Sequence, residues 1–554
     1  MQDVEQVFKL MPTDKDAQKM KEDIEALRLS KEKLERSLKA DPPNLILLQP
    51  EKSDGPIGPL CVDINKVMPR IDAFIQNDTL DIELVEFLTR VLKSSEMMRV
   101  YAYNKGIILK FATIFKNYNF DVRVCKLFIA FAKSNPDYQR EFLLLNGGDD
   151  LSKLVINLSN LIPIDAKDPE KITKFIHNCH SVGQIIEVFI IFTENEKTAE
   201  IIQSYEILSR LPALLYNRLI ALLDFDTETL TSLMGLITNL TAISKESLLI
   251  VRENFLVDIL SDAVNLILPV PSTALLRLKG NLYGLMANML ADEKARAKLL
   301  QNIDDFLKFL RMTLENIQFL SISNPGNLRW VNSVEGALCL FVNIAFNASE
   351  DELQIVFGTK LLIYNHFKRF LGLTRDRPVF QKIIQRTLQL FSKLDFHESF
   401  LADTRADVLS SFKLHLDAKG RELGLAKHAL RLYIRWFEKR NLPVFQNFFK
   451  PKDFTDLIEN LHDIFKVDDP EIFSNGCTLA GNLVEMFPTL SERFEDDITT
   501  LLAAVRNRNG DGRRNAGILL AKLSKNNENF RIITENDGFQ ILGELKKFFL
   551  SKAT

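Results

Sequence analysis

Tryptophan and cysteine are scarce: 554 residues hold two of the first and five of the second. The cysteines, Cys61, Cys125, Cys179, Cys339 and Cys477, stand singly in mostly apolar stretches, without the close pairs that zinc sites and redox motifs require. They read as reduced thiols of a cytoplasmic or nuclear protein, and we expect a cytoplasmic location. Net charge is low as well. Lys+Arg 70 against Asp+Glu 73 leaves −3, which excludes a global basic field for nucleic acid. No stretch approaches ~20 uninterrupted apolar residues, and Met1-Gln2-Asp3-Val4-Glu5 lacks the basic-then-apolar order of a secretory leader, so no membrane insertion is expected.

Catalytic signatures are missing too. There is no His-Glu-x-x-His, no Gly-x-x-x-x-Gly-Lys-Ser/Thr, no Gly-x-Ser-x-Gly and no kinase set. His177-Asn178-Cys179-His180 places potential metal ligands within one turn, but no second cluster lies at zinc-site spacing, so core or surface residues are the better reading. We therefore expect no enzyme, no catalytic, cofactor-binding or metal-binding residues, no cofactor and no small-molecule substrate.

What is present is helical periodicity. Residues 1–40 read as a helical stub broken at Pro12, and residues 41–60 as a linker, because Pro42, Pro43, Pro50, Pro56 and Pro59 forbid a continuous helix. From Ile64 onward apolar residues recur at three and four spacing, with short polar turns between and no sustained period-two alternation. The turns return every ~40 to ~60 residues, giving about nine units over 61–554, each too small to bury its own apolar face.

The best copies are Val124 to Pro136 followed by Phe142 to Leu151, and Arg514 to Asn529 followed by Ile532 to Gly538. Both resemble the armadillo repeat: a small-residue-rich third helix, an Asn-x-Glu-like turn, then a helix ending at a Gly turn. The resemblance implies an all-α fold, an armadillo-like right-handed α-solenoid (superhelix), whose concave face is lined by third helices and binds other proteins. Gly235, Gly280, Gly284 and Ala287 are expected to let those helices approach closely, since Gly inside a helix costs about 1 kcal/mol against Ala unless packing compensates.

Asn239, Asn288, Asn343 and Asn482 stand at equivalent places in four units, which makes them candidates for a protein-binding ladder of amides along the concave face. This is similar to the asparagine ladder of nuclear-import adaptors. That family has Trp four residues before each Asn, where this chain has Gly235, Gly284, Cys339 and Thr478, so the import groove is not expected. The competing reading is that each Asn caps or braces the next turn within its own repeat. Two basic stretches, Arg506 to Arg514 and the helix bearing Arg431, Arg435, Lys439 and Arg440, read as solvated surface before nucleic-acid sites. In Phe448-Phe449 and Phe548-Phe549 the two rings cannot share one helix face.

The string Asp3 to Ala17 resembles the end of a tetratricopeptide repeat. A tetratricopeptide remnant joined to an armadillo array resembles two groups of cytosolic co-chaperones, those assisting axonemal dynein-arm assembly and the myosin chaperones of muscle, and Arg513 to Phe549 looks more like the former. The resemblance implies a scaffold that holds a motor subunit while a chaperone acts. The alternative is a structural adaptor that bridges partners in a cytoskeletal or trafficking complex. Partners are expected to be other proteins, motor subunits and chaperones among them.

Overall fold

The computed structural model describes residues 45–48, 60–117, 121–160, 169–203, 216–217, 219–220, 223, 226–271, 275–318, 330–349, 351–353, 366–373, 378–393, 423–438 and 442–543. The stub and the Phe548-Phe549 pair lie outside them. The chain divides into two compact units, Met1–Leu161 with Gln184–Tyr205, and Ile162–Gly183 with Glu206–Thr554.

The first unit opens with a departure from expectation. The stretch read as a linker contains strand β1 (Leu45–Leu48), paired antiparallel with β2 (Leu60–Asp63), Leu45 opposite Asp63 and Leu48 opposite Leu60. The prolines end at either side of Leu45-Ile46-Leu47-Leu48, so nothing within it removes a main-chain donor. Four consecutive apolar residues carry no period-two signal, which is why alternation did not reveal the strand.

The described elements after β2 are helical: α1 (Ile64–Gln76), α2 (Ile82–Ser94), α3 (Glu96–Asn104), α4 (Ile107–Lys116), α5 (Arg123–Ala132), α6 (Pro136–Leu144), α7 (Gly147–Asn160), α8 (Pro169–Thr193), whose residues 184–193 belong to this unit, and α9 (Glu196–Gln203). They start where short polar side chains take the orphan amides. Asp63 accepts from the Asn65 N–H at 2.9 Å, Asp81 from Glu83 at 3.0 Å, and Asn135 from Asp137 at 3.0 Å with Pro136 in the first helical turn. The core is phenylalanine-rich. Phe128 sits 4.5 Å from Phe142 and edge-on to Phe111 at 5.2 Å, with Phe115 and Phe192 closing the cluster.

The second unit continues with α10 (Thr227–Ile243), α11 (Lys245–Asn254), α12 (Leu256–Asp262), which runs into a π turn at Ala263–Ile267, α13 (Leu276–Ala291), α14 (Glu293–Gln301), α15 (Ile303–Gln318), α16 (Val331–Asn347), α17 (Pro378–Phe391), α18 (Leu423–Trp436), α19 (Leu442–Phe448), α20 (Thr455–Ile464), α21 (Pro470–Met486), α22 (Ile498–Asn507), α23 (Gly510–Leu523) and α24 (Asn527–Glu535). Seven of these, α10, α13, α16, α17, α18, α21 and α23, pack one against the next in that order. The recurrent polar turn has a plain cause. Ser244 ends α10 and caps α11, and Asp292 ends α13 and caps α14, each followed by a Glu in the first turn where the helix dipole favours an anion.

The tightest junction is α13 against α16, at two glycines. A Cβ on Gly336 would lie 2.6 Å from the Gly280 carbonyl oxygen, and one on Gly280 would lie 2.9 Å from the Asn332 carbonyl carbon. Main chain touches main chain here, as the small residues led us to expect for Gly280. Beside it, Lys279 is buried at 1% exposure, with its ammonium donating to the Val270 carbonyl at 2.7 Å and to Asn316 Oδ1 at 2.7 Å. Burial pulls its pKa down to about 8.

Candidate protein-binding face

Each of the seven stacked helices buries one side and leaves a polar side in register with its neighbours. Asn239, Asn288 and Asn343 stand on three consecutive helices, α10, α13 and α16, whereas Asn482 stands on α21, with α17 and α18 between. All four are half-buried. Asn288 Nδ2 donates to the Thr238 carbonyl at 2.8 Å and to Thr241 Oγ1 at 3.1 Å, and Asn343 Nδ2 donates to the Ala287 carbonyl at 2.8 Å. The acceptor is in both cases the residue immediately before the asparagine of the preceding helix.

These two amides therefore brace the neighbouring repeat, which neither sequence reading specified: the bracing reading placed the contact within one repeat. At Asn288 both amide N–H groups serve the stack, which leaves the Oδ1 acceptor to a partner; at Asn343 one N–H serves the stack and Oδ1 accepts from no donor among the described residues. A second row two turns earlier repeats the device. Asn281 Nδ2 donates to the Thr231 carbonyl at 2.8 Å, and Asn515 Nδ2 to Ser474 Oγ at 2.9 Å and Thr478 Oγ1 at 3.0 Å.

The same register has occupants that a search for asparagine passes over. On α23 it is Lys522, whose Nζ donates to the Gly481 carbonyl at 3.1 Å, again the residue before the preceding ladder position, and ion-pairs with Glu485 at 2.8 Å. On α17 and α18 the residues that directly precede the buried Leu390 and Trp436 are Gln389 and Arg435. The available signal was the step itself, a polar residue just before a buried apolar one at the equivalent point of each stacked helix.

Across α17 and α18 the face turns basic. Lys382, Arg386, Lys427, Arg431 and Arg435 lie on these two helices, and neither helix carries a carboxylate. Lys427 is met by Asp469 at 2.9 Å and Arg431 by Glu471, both from the start of α21. Arg386 donates to Gln389 Oε1 at 3.0 Å, and Lys393 Nζ stands 4.4 Å above the ring of Phe346, which is 47% exposed. His428 Nε2 lies 2.9 Å from Gln385 Nε2 and 3.3 Å from Gln389 Nε2. Burial, reinforced by Arg431 and Arg386, lowers the His428 pKa to about 4, so the imidazole is neutral at physiological pH. Phe346, Gln389, Lys393, His428, Arg431 and Arg435 are among the residues lining a cavity of about 340 Å³, and Arg386 adjoins it through its bond to Gln389.

The remaining sequence candidates take structural places. Cys179 is buried, its thiol pushed up to about 12 by desolvation, and among the described residues no three His, Cys, Asp or Glu side chains gather as metal ligands. In the Arg506 to Arg514 turn, Arg508 donates to the Val467 carbonyl at 2.8 Å and stacks 3.9 Å over Phe473, so that cation is bound within the fold. Of Phe448 and Phe449, the second is buried against Phe454 and the first is half-buried. Lys439 and Arg440 lie outside the described residues. No described helix is long and apolar enough to cross a membrane.

No protein-family model matches the chain, and no curated protein does. Solved structures do. The crystal complex of SYS-1 with POP-1 matches with a TM-score of 0.56 at 12% identity, covering 86% of this chain and 83% of that one. SYS-1 alone matches with a TM-score of 0.50 at 11% identity over the same shares, and an engineered protein with 0.50 at 10% identity, covering 82% of this chain and 98% of that one. The fold is an armadillo-like helical solenoid, as the repeat pattern implied.

Proposed function

We propose that this chain is a non-enzymatic protein-binding scaffold that receives an extended polypeptide along the polar face of its stacked third helices. The observation that carries the reading is the single register of half-buried polar side chains, Asn239, Asn288, Asn343, Gln389, Arg435, Asn482 and Lys522, on seven helices packed in series. A row of amides and cations at helix-to-helix spacing suits the repeating carbonyls, amides and side chains of an extended segment. SYS-1, which shares the fold, is crystallised with a protein partner, and this supports the reading by analogy alone.

The test is purification of the tagged chain from its own cells beside two variants. Asn332→Trp with Lys382→Trp blocks the face with bulk at exposed positions, and Lys308→Trp with Arg311→Trp places the same bulk on an exposed side of α15. A partner lost with the first and kept with the second supports the reading; one set of partners for all three proteins overturns it.

The finer reading is a cytosolic co-chaperone for assembly of a motor complex such as axonemal dynein arms. Its support is the resemblance of Asp3 to Ala17 and of Arg513 to Phe549 to that group. Recovery of motor subunits and chaperones from ciliated cells is the expected result. Retention of the chain in the insoluble skeleton after detergent extraction would instead select the adaptor reading.

A further inference from the structure

The polar face is not uniform, and its change of character says what kind of segment it takes. From α10 to α16 the ladder register holds asparagine, and the residues four positions earlier are Gly235, Gly284 and Cys339. At α17 and α18 those same two registers hold Gln385, Gln389, Arg431 and Arg435, and Lys382, Arg386, Lys393 and Lys427 stand around them. This concentration occurs in a chain whose net charge is −3, so it is local.

Three of the cations, Lys382, Arg386 and Lys393, have no ion-pair partner among the described residues. Lys427 and Arg431 are balanced by Asp469 and Glu471, whereas no carboxylate of the described residues lies within 4 Å of Arg386 or Lys393. Glu438 is the one carboxylate among the described residues lining the cavity. His428 adds no compensating negative charge, and it packs between glutamines instead of a carboxylate. Beside the cations lies an apolar contact: Phe346 is exposed on α16 and Ile434 lines the same cavity on α18. Exposed aromatic surface next to unpaired cations on a solenoid face is the composition of a binding hot spot.

We propose, building on the scaffold reading, that the α16 to α18 part of the face takes an acidic polypeptide segment. Its carboxylates lie over Arg386 and Lys393, and one of its apolar side chains packs against Phe346 and Ile434. The carboxylates supply the partners these two cations lack, and the amide row on α10 to α16 supplies acceptors to the main-chain N–H groups of the same segment.

The test titrates the full chain with fluorescein-labelled 12-residue peptides of alternating Leu with Glu, with Gln or with Lys. The Glu peptide is expected to bind and to weaken steeply with added salt, while the Gln and Lys peptides bind at least about tenfold more weakly. Arg386→Gln with Lys393→Gln should remove that preference. Arg386→Lys with Lys393→Arg, which keeps both charges, should restore it, and Phe346→Ala should weaken the Glu peptide several-fold without changing its salt slope. Equal binding of the Glu and Gln peptides overturns the proposal, as does a double variant indistinguishable from the parent. A 12-nucleotide DNA strand that competes equally well overturns it by making the patch a general anion surface. If the bulky face variant loses its cellular partner while the Glu peptide fails to bind, the acidic preference alone has failed; if the partner is indifferent to bulk, the scaffold reading has failed with it.

Discussion

Adding one methyl group at Gly336 and one at Gly481 should move stability in opposite directions. Both glycines lie inside long third helices, where Gly→Ala gains about 1 kcal/mol of helix propensity. At Gly481 the new Cβ meets only Lys522 Cδ and Nζ at 3.5 Å, an ordinary contact with a pliant side chain, so most of that gain survives. At Gly336 it meets the Gly280 carbonyl oxygen at 2.6 Å and Tyr283 Cβ at 3.2 Å. The oxygen belongs to a helix backbone and cannot rotate aside, so α13 and α16 must separate, which places the overpacking cost in the upper part of its usual range, about 2–3 kcal/mol. Separation also loosens the Asn343 bond to the Ala287 carbonyl and the Ser333 bond to the Leu276 carbonyl across the same junction. The expected net is a loss of about 1–2 kcal/mol for Gly336→Ala and a gain of about 0.5–1 kcal/mol for Gly481→Ala. Urea unfolding followed by far-UV circular dichroism measures both as midpoint shifts, each read at the transition in which its own repeats unfold. Shifts in the same direction, or a Gly336→Ala protein as stable as its parent, would refute the argument from close approach.

Three further outcomes are expected. Asn343→Ala should cost about 1 kcal/mol by removing a cross-repeat hydrogen bond, read by the same unfolding experiment, and no loss would mean the amide braces nothing. Asp292→Ala should cost about 2 kcal/mol, because Asp292 caps α14 at the Ala295 N–H, 2.8 Å away, and holds Arg252 at 3.1 Å; the loss should shrink in Asp292→Asn, which keeps the cap. Lys279 has a folded pKa of about 8 against an ordinary 10.5, so between those pH values the unfolded chain binds more protons and stability rises with pH. Relative to Lys279→Met, the parent should gain about 3 kcal/mol between pH 7.5 and 10.5, and a flat difference would show that the ammonium is not desolvated in the fold.

Much of this architecture is legible in the residues because each repeat states its own boundaries. Ser244 and Asp292, each followed by an acidic residue, announce where one helix stops and the next starts, and Asn135-Pro136 does so in the first unit. Strand β1 was not legible, since four adjacent apolar residues suit a buried helix turn as well as a strand and only the pairing with β2 decides. The candidate face was half legible. The asparagines share a position that spacing reveals, but the direction in which their amides point depends on how far apart neighbouring helices sit, which the Gly280 and Gly336 contact fixes from outside each repeat. Gln389, Arg435 and Lys522 were passed over because the register was sought by residue type, when the buried residue that follows them marks it better.

The direction of the cross-repeat bonds bears on how the chain is made. Asn281, Asn288, Asn343, Asn515 and Lys522 each reach back to a helix already earlier in the chain. On the ribosome an emerging repeat thus carries its own donors to main-chain and hydroxyl acceptors that are finished before it appears. At these five contacts docking can run in the order of synthesis, since none of the five donors waits for a successor still to be translated.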